Sequence, residues 1–281
     1  MATSEAQMGE TGGMTMSRIK LGAFYLAVLI TLGMFVLFTG ELFMLLGLGF
    51  VIGEELGIHQ LHVMGIAIVV FFGALATLVQ LYKPRKRVAA FQAGAVMIGI
   101  ATLILAATGN ASLNEVLPFF VAIAVIGILH PAGRKLLTVG KKYSPALLGL
   151  TIVAAIPLLA FAINQLGLQT GTGDEHALMG HYAMIATLSL TIVIAGLLTA
   201  FESIGFRLLA WLTGLLTAYF GLLSVVLPIQ TSNVGVLWGG LAIVWAIVFV
   251  AAAEMSARED ASPYFSREMR ERDDVMPGKP A

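Results

Sequence analysis

Apolar residues in this chain fall into long blocks separated by short polar stretches. Eight blocks stand out: Leu21 to Leu46, His59 to Tyr82, Val88 to Ala107, Glu115 to Gly133, Pro145 to Asn164, Ala177 to Ala200, Phe206 to Pro228 and Val234 to Glu254. About 20 apolar residues in α-helix cross a hydrocarbon core about 30 Å thick, and a helix satisfies its own backbone groups where no water can. The pattern predicts an all-α integral membrane protein with eight transmembrane helices.

Charge alternates between the connections. Arg18 and Lys20 precede the first block, KPRKR (Lys83 to Arg87) follows the second, and Arg134, Lys135, Lys141 and Lys142 follow the fourth. Arg207 joins the sixth and seventh blocks, and the remaining five positive residues lie in the tail from Arg258. The intervening connections carry Glu54 and Glu55, then Glu115, then Asp174 and Glu175, with no Lys or Arg. Because positive loops stay in the cytoplasm, all sixteen Lys and Arg are expected on that side, with both termini inside. The expected location is the cytoplasmic membrane of a prokaryote.

Composition agrees: 58% of residues are hydrophobic and 11% charged, too few charges to cover a soluble domain of 281 residues. A net charge of zero, with the positive residues placed by topology, points to a lipid bilayer rather than nucleic acid as partner. The absence of cysteine excludes disulfides, thiolate catalysis, iron–sulfur clusters and cysteine-ligated metals. Residues 1–17 read as a disordered tail lacking a signal-peptide pattern, and residues 256–281 as a charged cytoplasmic tail opening in a short, fraying helix.

Near Tyr143 the chain divides into two transmembrane halves, residues 18–142 and 143–255. A shift of 119 residues brings block onto block and puts His62 on His181, Ile66 and Ala67 on Ile185 and Ala186, Glu55 on Asp174 and Asn114 on Asn233. With four spans each, the halves keep one orientation, so a parallel repeat of two four-helix bundles is expected. Gly94, Gly99, Gly127, Gly235 and Gly239 are candidates for close helix contact. Pro157 is expected to bend the fifth helix and free a carbonyl.

Four of the five histidines sit where the second and sixth helices leave the outer face, in EELGIHQLH (Glu54 to His62) and DEHALMGH (Asp174 to His181). Helical spacing puts His59 and His62 on one face, whereas His176 and His181, five apart, share a face poorly. The equivalent residues His62 and His181 are the principal candidates, with His59 and His176 as weaker metal ligands. Three chemistries fit: axial haem ligation by imidazole, a metal held by His and carboxylate such as Glu55, His59 and His62, and proton handling at a quinone head group. Glu41, about 30 Å along the first helix, falls level with the histidines and is either an interfacial acid or their partner. Asn164 and Gln165 read as caps, His130 as a helix terminator bonding the last carbonyls, and Trp211, Trp238 and Trp245 as packing or interfacial anchors.

HVMGIA from His62, HYAMIA from His181 and FRLLAWLTGLLTAYFGLL (Phe206 to Leu223) resemble, distantly, the haem A synthase family. The resemblance implies two four-helix halves with haem-ligating histidines at the outer ends of even-numbered helices. His62 and His181 match those positions. The histidines that the family places on helices four and eight are replaced here by Pro118 or Phe119 and by Trp238, and its bacterial cysteine pair is missing. The implied arrangement is a single haem bridging the halves through His62 and His181, with Glu41, Glu55 and Asp174 around it and respiratory or cytochrome-assembly proteins as partners. The alternatives are a transporter for a small solute, proton or metal, and an accessory membrane subunit without its own site.

Overall fold

The computed structural model of the protein describes residues 17–38, 65–66, 68–227 and 232–261. Nearly all of the two expected tails lies outside them. The helices are α1 (Ser17–Phe38), α2 (Ile68–Leu78, prolonged by a 3-10 turn Val79–Leu81), α3 (Val88–Ala107), α4 (Leu113–Leu129), α5 (Pro145–Gly171), the short α6 (Glu175–Leu178), α7 (His181–Ala200), α8 (Phe206–Val226) and α9 (Gly235–Ala261). Among the described residues there is no strand. Six helices, α1, α3, α5, α7, α8 and α9, are long and apolar enough to cross a membrane, while α2 and α4 are apolar but shorter. These helices make the chain a multi-pass membrane protein.

Local chemistry sets the boundaries. Ser144 accepts a hydrogen bond from the Leu147 N–H and is followed by Pro145, so capping and a pre-set φ start α5 together. Pro84 ends the second apolar block in a 3-10 turn. The helix α5 runs on to Gly171, so Asn164 and Gln165 lie within it rather than capping its end, and buried Gln165 accepts a hydrogen bond from Ser232 Oγ at 2.6 Å. The chain past Ser256 continues α9 as far as Ala261.

Hydrogen bonds join the connections at each end. At the basic end, Arg85 Nε donates to the Pro131 carbonyl at 3.1 Å, and Gln92 donates to the Leu136 and Thr138 carbonyls, both at 2.9 Å. The Ala89 N–H bonds the Ile204 carbonyl at 2.9 Å, and the Ser144 N–H bonds the Ala200 carbonyl at 2.9 Å. Gly205, with φ +88°, lies so close to this seam that a Cβ would come 2.4 Å from the Lys86 carbonyl oxygen. His130 belongs to the same end; its backbone N–H bonds the Gly127 carbonyl of α4 at 3.3 Å, but its imidazole does not bond the last carbonyls. It is buried, its Nδ1 accepts the Ala132 N–H at 3.1 Å, and its Nε2 therefore carries the proton shared with Gln80 Oε1 at 3.2 Å. Gln80 in turn donates to the Ala76 and Arg87 carbonyls, which completes the network.

The helices α5, α7, α8 and α9 form a closed ring, each packing on the next and α9 returning to α5. In the other half α2 packs on α3 and α3 on α4. Helix α1 meets α4 through Phe35 against Phe119, at 4.8 Å between ring centroids. Both α2 and α3 contact both α7 and α8. The 119-residue shift expected from the sequence carries Val88–Ala107 onto 207–226, and α8 spans Phe206–Val226.

Lipid gives helices no hydrophobic reason to associate, so close approach must supply the contact energy. The tightest crossing is α8 on α9: a Cβ on Gly221 would lie 2.5 Å from the Gly239 carbonyl oxygen, and one on Gly239 would lie 2.7 Å from the Gly221 oxygen. Gly94 faces Ala76 and Gly127 faces the Phe91 ring, as packing glycines should. Gly99 and Gly235 have open space around them and are not packing sites, and Gly235 instead serves a turn at φ +77°. Gly221→Ala should therefore destabilise the protein by about 1–3 kcal/mol through overpacking against backbone. Gly99→Ala should be neutral or stabilise it by up to about 1 kcal/mol through helix propensity. Unfolding of the two variants in detergent checks this, and equal effects would contradict the crossing.

Candidate functional site at the acidic end

Asp174, His176, His181 and Tyr182 come together where α5, α6 and α7 meet. Helix α7 is the most enclosed of the six long apolar helices, with 78% of its apolar window buried against 17–61% for the others. His181 opens it and is buried, at 1% exposure. Its ring meets that of His176 edge-on, with centroids 5.5 Å apart at 63°.

A spacing of five would separate these two histidines on a continuous helix, and the structure corrects that expectation. Helix α6 ends at Leu178, and Gly180 adopts φ +73° before α7 begins. The break turns α6 back so that His176 returns to the level of His181. A Cβ at position 180 would meet Leu105 Cδ2 at 2.8 Å, so glycine suits both the conformation and the contact.

The short helix is held on all sides. Asp174 caps it, its Oδ1 accepting from the Ala177 N–H and its Oδ2 from the Tyr182 hydroxyl, both at 2.8 Å. Gln169, from the last turns of α5, donates to the Ala177 carbonyl at 2.6 Å and accepts the Ala183 N–H at 3.0 Å. From the α3–α4 connection, Asn110 donates to the Ala177 and Leu178 carbonyls at 2.7 and 3.1 Å, and Ser112 donates to the Met179 carbonyl at 2.9 Å. Of these, Gln169, Asn110 and Ser112 are not among the residues the sequence singles out. Their one signal is that they are polar residues just beyond the ends of apolar blocks. The Nε2 atom of His176 is buried and has no hydrogen-bond partner among the described residues.

Partial desolvation raises the Asp174 pKa. The hydrogen bonds from Ala177, Tyr182 and Thr172, with His176 nearby, outweigh it and hold the carboxyl below its ordinary value of 3.8.

Glu41, Glu55, His59 and His62 lie outside the described residues. Among the described residues, no three His, Asp or Glu side chains converge as a metal site. For haem, a buried imidazole at the head of α7 and a second with an unclaimed Nε2 are chemically suitable ligands. Their edge-on contact leaves no room for a porphyrin plane between them, so His176 and His181 are not the two axial ligands of one iron. Gly65 lies against the first turn of α7, where a Cβ would come 3.0 Å from Ile185 Cγ1, 3.4 Å from the His181 carbonyl oxygen and 3.5 Å from Met184 Cβ.

The fold and this end of it define a polytopic membrane protein with a clamped, histidine-bearing layer. Compared with known protein families, curated proteins and solved structures, the chain matches none.

The lowered Asp174 pKa gives a sign-definite expectation. A carboxylate depressed by folding contributes stability above its unfolded pKa, and that contribution is lost as pH falls through the folded value. Asp174→Asn keeps a capping oxygen but removes the charge. In thermal unfolding in detergent, wild type should exceed Asp174→Asn near neutral pH, with the gap closing below the ordinary value of 3.8. A gap independent of pH would contradict this account.

Proposed function

We propose that the protein is an eight-span membrane protein of two parallel four-helix halves, both termini cytoplasmic, that holds one haem between the halves near the outer face. His181 and His62 would hold it through their imidazoles, with Glu41, Glu55 and Asp174 as the accompanying carboxylates. The observation that carries this reading is the contact of Gly65 with Met184: the two are 119 residues apart, the repeat's own shift, and Gly65 follows His62 by three residues. Equivalent residues that touch belong near the axis relating two halves. The reading places the protein in the respiratory or cytochrome-assembly class, as a divergent relative of the haem A synthases.

Bound haem would supply one-electron redox chemistry. The chain's contribution is positional. Enclosure of α7 holds the His181 imidazole away from lipid. Asp174 and Tyr182 fix the turn that brings His176 beside it, and the clamp from Asn110, Ser112 and Gln169 keeps that turn from unwinding. A second reading, a small metal ion bound through His176, is favoured by its unclaimed buried Nε2.

Absorption spectra of protein purified after expression with ample haem, oxidised and dithionite-reduced, test the first reading. A Soret band with sharp reduced α and β bands, lost in His181→Ala and His62→Ala and retained in His176→Ala, is expected. Absence of haem, together with metal that disappears in His176→Ala, would replace it with the second. Orientation is checked separately in this cysteine-free chain: Lys142→Cys should be labelled from the cytoplasmic side and Glu175→Cys from outside. The reverse pattern would invert the topology.

A further inference from the structure

The connection from α4 to α5, Pro131 to Ser144, carries four Lys and Arg residues and no acid. Its middle is held in place. Gln92 Nε2 donates to the Leu136 and Thr138 carbonyls, on either side of Leu137, and Gly140 lies so close to the next turn that a Cβ there would overlap the Phe201 carbonyl oxygen. Leu136 turns inward and packs on the hydrophobic core. Leu137 turns away from it and is 90% exposed, more than any other large apolar residue among those described. Val139 and Tyr143 follow, also exposed, and between and beside these three stand exposed Arg134, Lys135 and Lys141.

The depth of this segment is fixed by Gln92. That residue lies four places after Val88, the first residue of α3, and so about 6 Å into the helix. Its side chain can grip both carbonyls only if Leu136 to Thr138 runs beside the end of the span, at the level where hydrocarbon gives way to head groups.

We infer that this connection is a docking surface for anionic phospholipid head groups of the leaflet at the basic end, with Leu137, Val139 and Tyr143 set into the interface and Arg134, Lys135 and Lys141 on lipid phosphates. Three observations select lipid. Depth puts the exposed leucine at the membrane boundary rather than out in bulk water. Apolar and basic side chains interleaved along one short segment are the pattern of chain that lies in the interface, with its apolar part among the head groups and its cations drawn to anionic lipid. No acid within the connection satisfies those cations, and Glu202, whose backbone adjoins Gly140, already accepts from Ser256 Oγ at 2.7 Å. A backbone fixed in advance also loses little freedom on binding. This surface is independent of haem and of the histidine layer, which lies at the opposite end.

The chain's lack of cysteine makes a single nitroxide at Leu137→Cys possible. The full chain is placed in nanodiscs of phosphatidylcholine, alone and mixed with phosphatidylglycerol, and collisions of the nitroxide with oxygen and with a water-soluble nickel chelate are compared. Oxygen should dominate, and its excess should grow when phosphatidylglycerol is present. The growth should vanish when Arg134→Gln, Lys135→Gln and Lys141→Gln are added, or in high salt with the charges intact, which serves if the triple variant does not fold. A nickel-dominated signal in both lipids would put Leu137 in water and overturn the proposal. An oxygen excess that ignores phosphatidylglycerol would overturn the choice of anionic head groups. Protection from both probes in native membranes alone would overturn it in favour of a protein partner.

Discussion

Within hydrocarbon, two helices gain nothing by hiding apolar side chains from each other's solvent, because lipid is as apolar as leucine. The association seen here must come from close contact along the spans and from hydrogen bonds at their ends, where water gives way to lipid. Helix α7 shows the first, packed by α3, α5 and α8. The second is seen in connections that bond one another at both faces, Asn110 to Ala177 at one end and Ala89 to Ile204 at the other. Both ties link the segment up to α4 with the segment from α5 onward. The two segments are thus fastened at top and bottom and packed between, and α7 with its leading histidine is the most enclosed of the six long apolar helices described.

Histidine chemistry follows from that enclosure. An imidazole at the mouth of a lipid-facing helix would sit in the interface at little cost and need no partner. At the head of a helix buried by its neighbours it is taken out of water, and its surroundings are fixed by backbone. The break at Gly180 and the cap by Asp174 make a rigid corner out of what hydropathy alone presents as one continuous segment. Polar groups deeper on α7 behave differently: Thr187, Ser189 and Thr191 return their hydroxyls to carbonyls one turn back, as residues of the helix rather than of a site.

Hydropathy and charge were enough to read the long helices. The expected block from Val88 to Ala107 coincides with α3, and His181 does begin a helix. Alternation of basic and acidic connections matches the two sets of loops that bond one another. What the sequence concealed were relations between distant segments. Gln80 meets His130 across fifty residues, and Gln169 and Asn110 converge on the Ala177 carbonyl from 8 and 67 residues upstream, neither pattern having a period or a spacing to betray it. The sequence block for α5 stops short because Asn164 and Gln165 look like an exit from the membrane, whereas burial and hydrogen bonding of Gln165 and Gln169 let the helix continue. The contact of His176 with His181 was hidden for a related reason: helical spacing does not hold across a turn that only the left-handed glycine reveals.

The central claim, that the halves meet with equivalent helices paired beside the histidine layer, is tested most directly by a disulfide between Gly65→Cys and Met184→Cys in this cysteine-free chain. A Cβ at position 65 would lie 3.5 Å from that of Met184, within the range that a disulfide bridges. The account predicts rapid intramolecular oxidation in membranes, with no cross-link when the partner of Met184→Cys is moved to Gly99→Cys. Failure of the first pair to form, or cross-linking only between molecules, would contradict the pairing of the halves.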